Sequence, residues 1–424
     1  MPDIPEEVIR PIIFVHGLAG SASQYQTQAM RFASNGYPDD RIVAFEYSTD
    51  GLAAVTRAAT GGLNETLDQF VDTQRERFES DQVYLVCHSL GTRVCSQYLS
   101  DPERAMKVAK YIAIDGIPGD SCPGDVPCMG VFVSPENTLG GNNLHLPSEA
   151  HVQVATSEAS FAGQFRFLTG VDPERTQILP QEGRVKISGR VVYFPANEGA
   201  DGTALSIWRV NPETGARAED KPVATFTIDS SGNWGPVELN PQAHYELHLI
   251  RPERAEHHFY RQPFLRSSSL VRLNTSPEGS AIEQNTHVGP NHATLIITRD
   301  MEWWGDHPSG QNDILEISVS RDGGTVEASG NIIVPDMGNG IIGIHVHDTA
   351  DSPAQTTLAP IEYFVEQPFQ YGLDVYMPAA TPPDGVITLV STPRGDESKK
   401  QVINVPNWAS SQHRISVIFN DYIQ

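Results

Sequence analysis

Near residue 180 the hydrophobic period of this chain changes, and that change limits the folds it can take. From Arg10 to about Gly170 short apolar runs alternate with longer stretches of helical spacing, the pattern of a parallel sheet covered by helices. After Leu179–Gly183 the apolar residues alternate singly: Val185 and Ile187, Leu205 and Ile207, Ala224, Phe226 and Ile228, and near the end Ile415, Val417 and Phe419. The expected fold class is an α/β domain, a parallel sheet with helices on both faces, followed by an all-β region of two sandwich or barrel modules. At 424 residues the chain is too long for one ordinary core. We place domains at 1–180, 181–252 and 253–424, with the inner break at the Arg-Pro-Glu-Arg stretch Arg251–Arg254.

Strands are expected at Pro11–His16, Arg41–Tyr47, Val83–His88 and Val108–Asp115, with a weaker one at Val131–Ser134. Asn64 reads as the cap of a helix carrying Leu67, Phe70, Val71 and Phe78, and Phe161, Phe165 and Leu168 mark a later helix at Thr156–Gly170.

Charge narrows the partners. Asp and Glu total 53 against 29 Lys and Arg, a net charge of -24, so nucleic acid would be repelled. No run of about 18 apolar residues is present, so no transmembrane segment is expected, and the first residues lack the basic flank and apolar run of a secretion signal. Of the four cysteines, Cys122 and Cys128 are spaced to close a small disulfide, while Cys87 and Cys95 fall in buried-looking elements and read as plain thiols. The compartment stays open, leaning towards secretion if a signal peptide has been removed.

The strand Val83–Val86 runs into Cys87-His88-Ser89-Leu90-Gly91 and then into a helix from Thr92 to Leu99. A serine on such a tight strand-to-helix turn is an exposed nucleophile, and the residues two before and two after it must be small. Cys87 stands where glycine is usual; Gly91 keeps the second small position. A serine hydroxyl needs a base to take its proton and donors for the oxyanion it creates. The turn His16-Gly17-Leu18-Ala19-Gly20 after the first strand, and the start of the helix, provide the backbone amides of Leu18 and Leu90 for that purpose. His151 is the preferred base and His145 the reserve; Asp115, at a strand end, is the preferred acid and Glu136 the alternative. His16 and His88 are given no proton-transfer role.

The segments Val15–Ala22, Phe32–Pro38 and His151–Val154 resemble the lipase of Archaeoglobus and its relatives, a likeness that covers residues 10–170. The resemblance implies an α/β-hydrolase domain with Ser89, Asp115 and His151 as a catalytic triad, and it raises Asp115 above Glu136. It also implies a C-terminal β region concerned with lipid handling. Val185–Ile250 separately resembles a transthyretin-like β module. The loop Ile117–Glu149 does not align with the family and leaves acyl length open.

In the β half, Trp303 and Trp304 are either core or exposed anchors for a lipid or polymer surface, and His345, His347 and Asp348 are either structural or spaced for a metal. The expected activity is hydrolysis of a hydrophobic carboxylic ester through an acyl-enzyme, with no cofactor and no metal. The alternatives are a polyester or thioester hydrolase with the same triad, and a binding or adhesion protein built on a degenerate hydrolase domain.

Overall fold

Six parallel strands form the first sheet: β1 Ile12–Val15, β2 Ile42–Phe45, β3 Val83–His88, β4 Val108–Ile114, β5 Cys128–Phe132 and β6 Asn143–His145, in the order β2-β1-β3-β4-β5-β6. They belong to a computed structural model that describes residues 2–305, 311–321, 324–333, 340–350 and 353–422. Helices α1 Gln26–Ser34, α2 Gly51–Ala59, α3 Asn64–Arg77, α4 Leu90–Leu99, α5 Pro102–Ala105, α6 Gln153–Thr156 and α7 Glu158–Thr169 connect and follow the strands.

Side chains alternate across a strand, so a sheet buried on both sides must be apolar at every position. Ile12, Phe14, Tyr84, Val86, Ile112 and Ile114 pack on one face with Phe161, Phe165 and Leu168 of α7. Ile13, Val15, Leu85, Cys87, Tyr111 and Ala113 pack on the other with Leu67 and Val71 of α3 and Val94 of α4. Each fully buried aliphatic or aromatic side chain contributes about 1.5–3 kcal/mol. Parallel register also aligns the strand ends. Val15 pairs with Cys87, Cys87 with Ala113, and His88 with Ile114, so β1, β3 and β4 end side by side and their loops leave the sheet at one edge.

Some boundaries differ from the sequence reading. The weaker strand lies at Cys128–Phe132 rather than Val131–Ser134, because Tyr111 to Ile114 of β4 pair with Cys128 to Val131. His145, the reserve base, is on the short strand β6, where Phe132 pairs with it. Asn64 is the first residue of α3 and Leu63 holds the cap position. α7 is capped by the Ser157 side chain, which accepts from the Ser160 amide, and ends at Gly170 in the left-handed region.

Downstream the chain is built of strands: β7 Val185–Tyr193, β8 Glu198–Gly199, β9 Ala204–Val210, β10 Ala224–Thr227, β11 Asn233–Leu239, β12 His244–Ile250, β13 Glu256–Arg261 and β14 Ser268–Thr275. They are followed by β15 Thr294–Trp303, β16 Ile314–Arg321, β17 Gly324–Asn331, β18 Ile341–His347, β19 Gln370–Asp374, β20 Gly385–Thr392, β21 Gln401–Pro406 and β22 His413–Ile418. The expected fold class, an α/β-hydrolase sheet followed by β modules, is the observed one.

The chain divides into two compact units. The first comprises Met1–Gly199, Gly235–Glu238 and Leu265–Asn274, so it includes β7, β14 and most of β11, which form one small sheet in the order β11-β7-β14. The second contains an eight-stranded sheet, β10-β9-β12-β13-β22-β15-β18-β19, and a four-stranded one, β17-β16-β20-β21. Its core alternates as the sequence does: Leu295, Ile297, Ile344, Val346, Ile415 and Val417 of the larger sheet pack with Ile317, Val319, Ile387 and Leu389 of the smaller. Arg251–Arg254 lies in the connection between β12 and β13, which pair antiparallel in the larger sheet.

Candidate active site

Ser89 sits between β3 and α4 with φ 52 and ψ -121, a conformation that costs a non-glycine residue on the order of 1–3 kcal/mol. The neighbouring packing holds it there. The Ser89 amide donates to the Ile114 carbonyl at 2.9 Å, and the Ser89 carbonyl accepts from the Thr92 amide at 3.0 Å and hydroxyl at 2.7 Å. Gly91 crosses β1 so closely that a Cβ there would overlap the carbonyl oxygens of Val15 and His16. A Cβ on Gly17 would lie 2.8 Å from Cβ of Ser89, which places the turn after β1 directly against the serine.

Cys87 and Cys95, expected as thiols, are joined by a disulfide, with Cα atoms 6.6 Å apart. The reading fails because Cys87, the last inward residue of β3, faces the second turn of α4 across the elbow. Cys122 and Cys128 form the second disulfide, with Cα atoms 5.6 Å apart.

His151 lies just before α6. Its Nδ1–H donates to Asp115 Oδ2 at 2.6 Å, and its Nε2 is 3.0 Å from Ser89 Oγ. A carboxylate only accepts, so the Nδ1 proton is fixed and Nε2 keeps its lone pair for the serine hydroxyl. Asp115 follows β4 with φ 40; its Oδ1 accepts from the Val133 amide at 3.0 Å. Burial pushes its carboxyl up, but the hydrogen bonds from His151 and Val133 outweigh this and hold it below the ordinary aspartate value. Glu136 is exposed in the turn after β5, and His145 Nε2 donates to the Asn137 carbonyl at 2.8 Å. The structure thus brings Ser89, Asp115 and His151 into one chain of hydrogen bonds and leaves Glu136 and His145 outside it.

Leu18 follows Gly17 in the turn against Ser89, and Leu90 opens α4, where the first amides of a helix have no partner within it. The two histidines given no proton-transfer role in the sequence reading hold backbone at the site. His88 is buried; Gln24 Nε2 donates to its Nδ1 at 2.9 Å, so its Nε2–H donates to the His151 carbonyl at 2.8 Å. Burial, reinforced by His151, lowers its pKa to about 3. His16 is also buried and neutral, its pKa lowered by burial.

The second unit offers no comparable chemistry among the described residues. Trp303 is fully buried, donates Nε1–H to the Ile342 carbonyl at 3.1 Å and lies under Arg299; Trp304 is buried beneath Arg394 at 3.4 Å. Neither is a surface anchor. His345 is buried, stacks on Phe364 and donates Nε2–H to Gln370 Oε1 at 2.6 Å; Asp348 Oδ2 accepts from the Ala354 amide. Both residues are engaged within the protein.

A group overlooked in the sequence does gather at metal-like spacing: His248, Glu256 and His258. Arg217 decides how to read it. Its Nη2 is 2.9 Å from His248 Nδ1, and a guanidinium only donates, so Nδ1 holds the lone pair and the Nε2 proton goes to Glu256 Oε2 at 2.8 Å. His258 Nδ1–H donates to Glu246 Oε1 at 2.6 Å, and its Nε2 accepts from His413 Nδ1 at 3.0 Å. Glu246 receives two bonds from Arg217; burial raises its pKa, but His258 and Arg217 outweigh this and bring it to about 2. The cluster is a proton-satisfied buried network, with the cation of Arg217 already in place.

Against known families, residues 9–100 match the model for lipase (class 2), and residues 183–277 match the lipase C-terminal domain. The α/β domain has the α/β-hydrolase fold and is lipase-like over the stretch that the class 2 model matches. A further C-terminal-domain model matches residues 281–423. Among solved structures, the chain is similar to the lin2722 product of Listeria innocua at 14% identity, over 39% of this chain and 96% of that one, with a TM-score of 0.30. It is also similar to the Bacillus licheniformis lipase BlEst2 in propeptide form at 12% identity, over 95% and 94% of the two chains, with a TM-score of 0.29. No curated protein matches it. No helix among the described residues is long and apolar enough to cross a membrane.

Proposed function

We propose that this lipase-like hydrolase cleaves hydrophobic carboxylic esters through an acyl-enzyme on Ser89. The observation that carries the reading is the single imidazole of His151 bridging Asp115 Oδ2 at 2.6 Å and Ser89 Oγ at 3.0 Å. Ser89 Oγ attacks the ester carbonyl carbon as its proton passes to His151 Nε2, and the carbonyl oxygen becomes an oxyanion facing the Leu18 and Leu90 amides. The intermediate collapses, the alcohol leaves with the proton from His151, and water activated by the same nitrogen releases the acid. Asp115 keeps the imidazole in the tautomer this requires and stabilises the imidazolium. No step calls for a cofactor or a metal.

In this reading residues 1–180 carry the chemistry, and the segments 181–252 and 253–424 support it. The sequence likeness to the lipase of Archaeoglobus supports a lipid-like substrate, and the two disulfides are compatible with an extracellular protein. The test is labelling by a fluorophosphonate probe together with hydrolysis of p-nitrophenyl esters of graded chain length, a polyester and a thioester. Labelling of wild-type protein at Ser89 and loss of both labelling and turnover in Ser89→Ala are expected. Absence of labelling in folded wild-type protein would instead favour a binding protein with a degenerate hydrolase domain.

A further inference from the structure

The oxyanion turn is gripped by a residue far downstream. The Gly17 carbonyl accepts from His16 Nδ1 at 2.8 Å and from the Gly20 amide at 3.2 Å. In a trans peptide the carbonyl and the following N–H point in opposite directions, so fixing the Gly17 oxygen fixes the aim of the Leu18 N–H. His16 is held in turn: its Nε2 accepts from the Tyr47 amide at 3.2 Å, its ring stacks on Tyr47 with centroids 4.3 Å apart, and its carbonyl accepts from the Tyr47 hydroxyl at 2.6 Å.

Asn197 closes this arrangement. Its Nδ2 donates to the Gly20 carbonyl at 3.0 Å and to the Tyr47 carbonyl at 3.1 Å, joining the end of the turn to the residue that holds His16. Two carbonyl acceptors identify which side-chain atom is the nitrogen. Asn197 is buried and has φ 57, a left-handed backbone that asparagine tolerates better than most residues. It is itself anchored: its amide donates to the Tyr193 carbonyl, and its carbonyl accepts from Arg190 Nη2 at 3.0 Å. Arg190 and Arg272 both pair with the buried carboxylate of Glu46, which accepts from the Ala22 amide at 2.8 Å, just beyond the turn.

We propose that Asn197, within the stretch matching the lipase C-terminal domain, is a positioning residue that aims the Leu18 amide at the oxyanion. The inference rests on the assignment of Ser89 as nucleophile. The β segment that supplies Asn197 is then part of the catalytic machinery, and a hydrolase domain cut at residue 180 would lack it.

The test uses the full chain with Asn197→Gly, which keeps the backbone conformation and deletes the donor, and Asn197→Asp, which replaces the donor by an oxygen facing two carbonyls. Misaiming one amide should lower kcat about tenfold in the glycine variant, less than outright loss of an oxyanion donor, and further in the aspartate variant. KM should stay within about twofold, and the pH midpoint of kcat/KM should not move, because His151 is untouched. Affinity for phenylboronic acid, which forms a tetrahedral adduct on serine, should weaken by the same factor as kcat. Both kcat and boronate affinity within about twofold of wild type would overturn the inference. Should a variant be less stable, a deficit that persists well below its Tm supports positioning, and one that vanishes there overturns it. Fluorophosphonate labelling of Ser89 in wild type separates the two readings: labelling with unimpaired Asn197 variants sinks only the role of Asn197, whereas no labelling sinks both.

Discussion

The disulfide between Cys87 and Cys95 ties the end of the central strand to the helix that follows it, with Ser89 in the turn between them. Where the usual elbow relies on a small residue before the serine, this one adds a covalent clasp. Replacing both cysteines by alanine should cost about 2–3 kcal/mol in urea unfolding, the value expected for a short closed loop. It should also lower kcat, because both flanks of the nucleophile loosen. The corresponding Cys122/Cys128 double variant should lose stability with kcat retained, since that bond closes a loop before β5. Equal kcat in the two double variants would refute the clasp.

Asp115 and Glu136 make opposite predictions. Asp115→Asn should keep the fold but present a donor to His151 Nδ1 and reverse its tautomer, with a loss of about 10³–10⁴-fold in kcat. Glu136→Gln, at an exposed turn, should leave kcat within about twofold. Steady-state kinetics on one p-nitrophenyl ester decides between them, and the reverse pattern would move the acid to Glu136.

Glu46 joins strands β7 and β14 to the α/β sheet inside the first unit. Burial alone would raise its carboxyl, but Arg272, the Ala22 amide and Arg190 outweigh it and bring its pKa to about 2. Glu46→Ala leaves the Arg272 guanidinium buried without its partner, which should cost about 3–5 kcal/mol. A double variant that also removes Arg272 should recover part of the loss. A single variant as stable as wild type in urea would show that the pair holds nothing in place.

What could be read from the sequence depended on distance along the chain. The strand ends carrying the His16–Gly20 turn, Ser89 and Asp115 are each a local signal, an apolar run that stops at a turn residue, and their alignment follows from parallel pairing. The Cys87–Cys95 bond is hidden because a spacing of eight across a strand, a turn and a helix matches no simple pattern. Asn197 is hidden for a different reason: it meets Gly20 and Tyr47 only after the chain has crossed the whole α/β sheet, and nothing in its neighbours distinguishes it from any other turn asparagine. Likewise His248 and His258 face each other only through the β12–β13 register, while His345 and His347, visible as a pair on one strand, meet Gln370 and the Phe364 ring in the core.

The buried histidines also set the response to acid. His88 titrates at about 3 in the folded protein because burial and then His151 disfavour its charge, against 6.5 for the exposed imidazole. A group whose folded value lies below its unfolded value binds its proton first in the unfolded chain, so stability falls as pH drops from 6.5 and the loss ends near 3. Within that window the slope from one such histidine approaches about 1.4 kcal/mol per pH unit. His88→Gln keeps a side-chain N–H to donate to the His151 carbonyl but cannot titrate. The variant should therefore lose stability less steeply than wild type between about pH 6 and 4, with a slope lower by about 1.4 kcal/mol per unit, in urea unfolding followed at each pH. Parallel curves for the two proteins would mean that His88 is charged in the folded state, and its assignment as a neutral donor to His151 would fall with them.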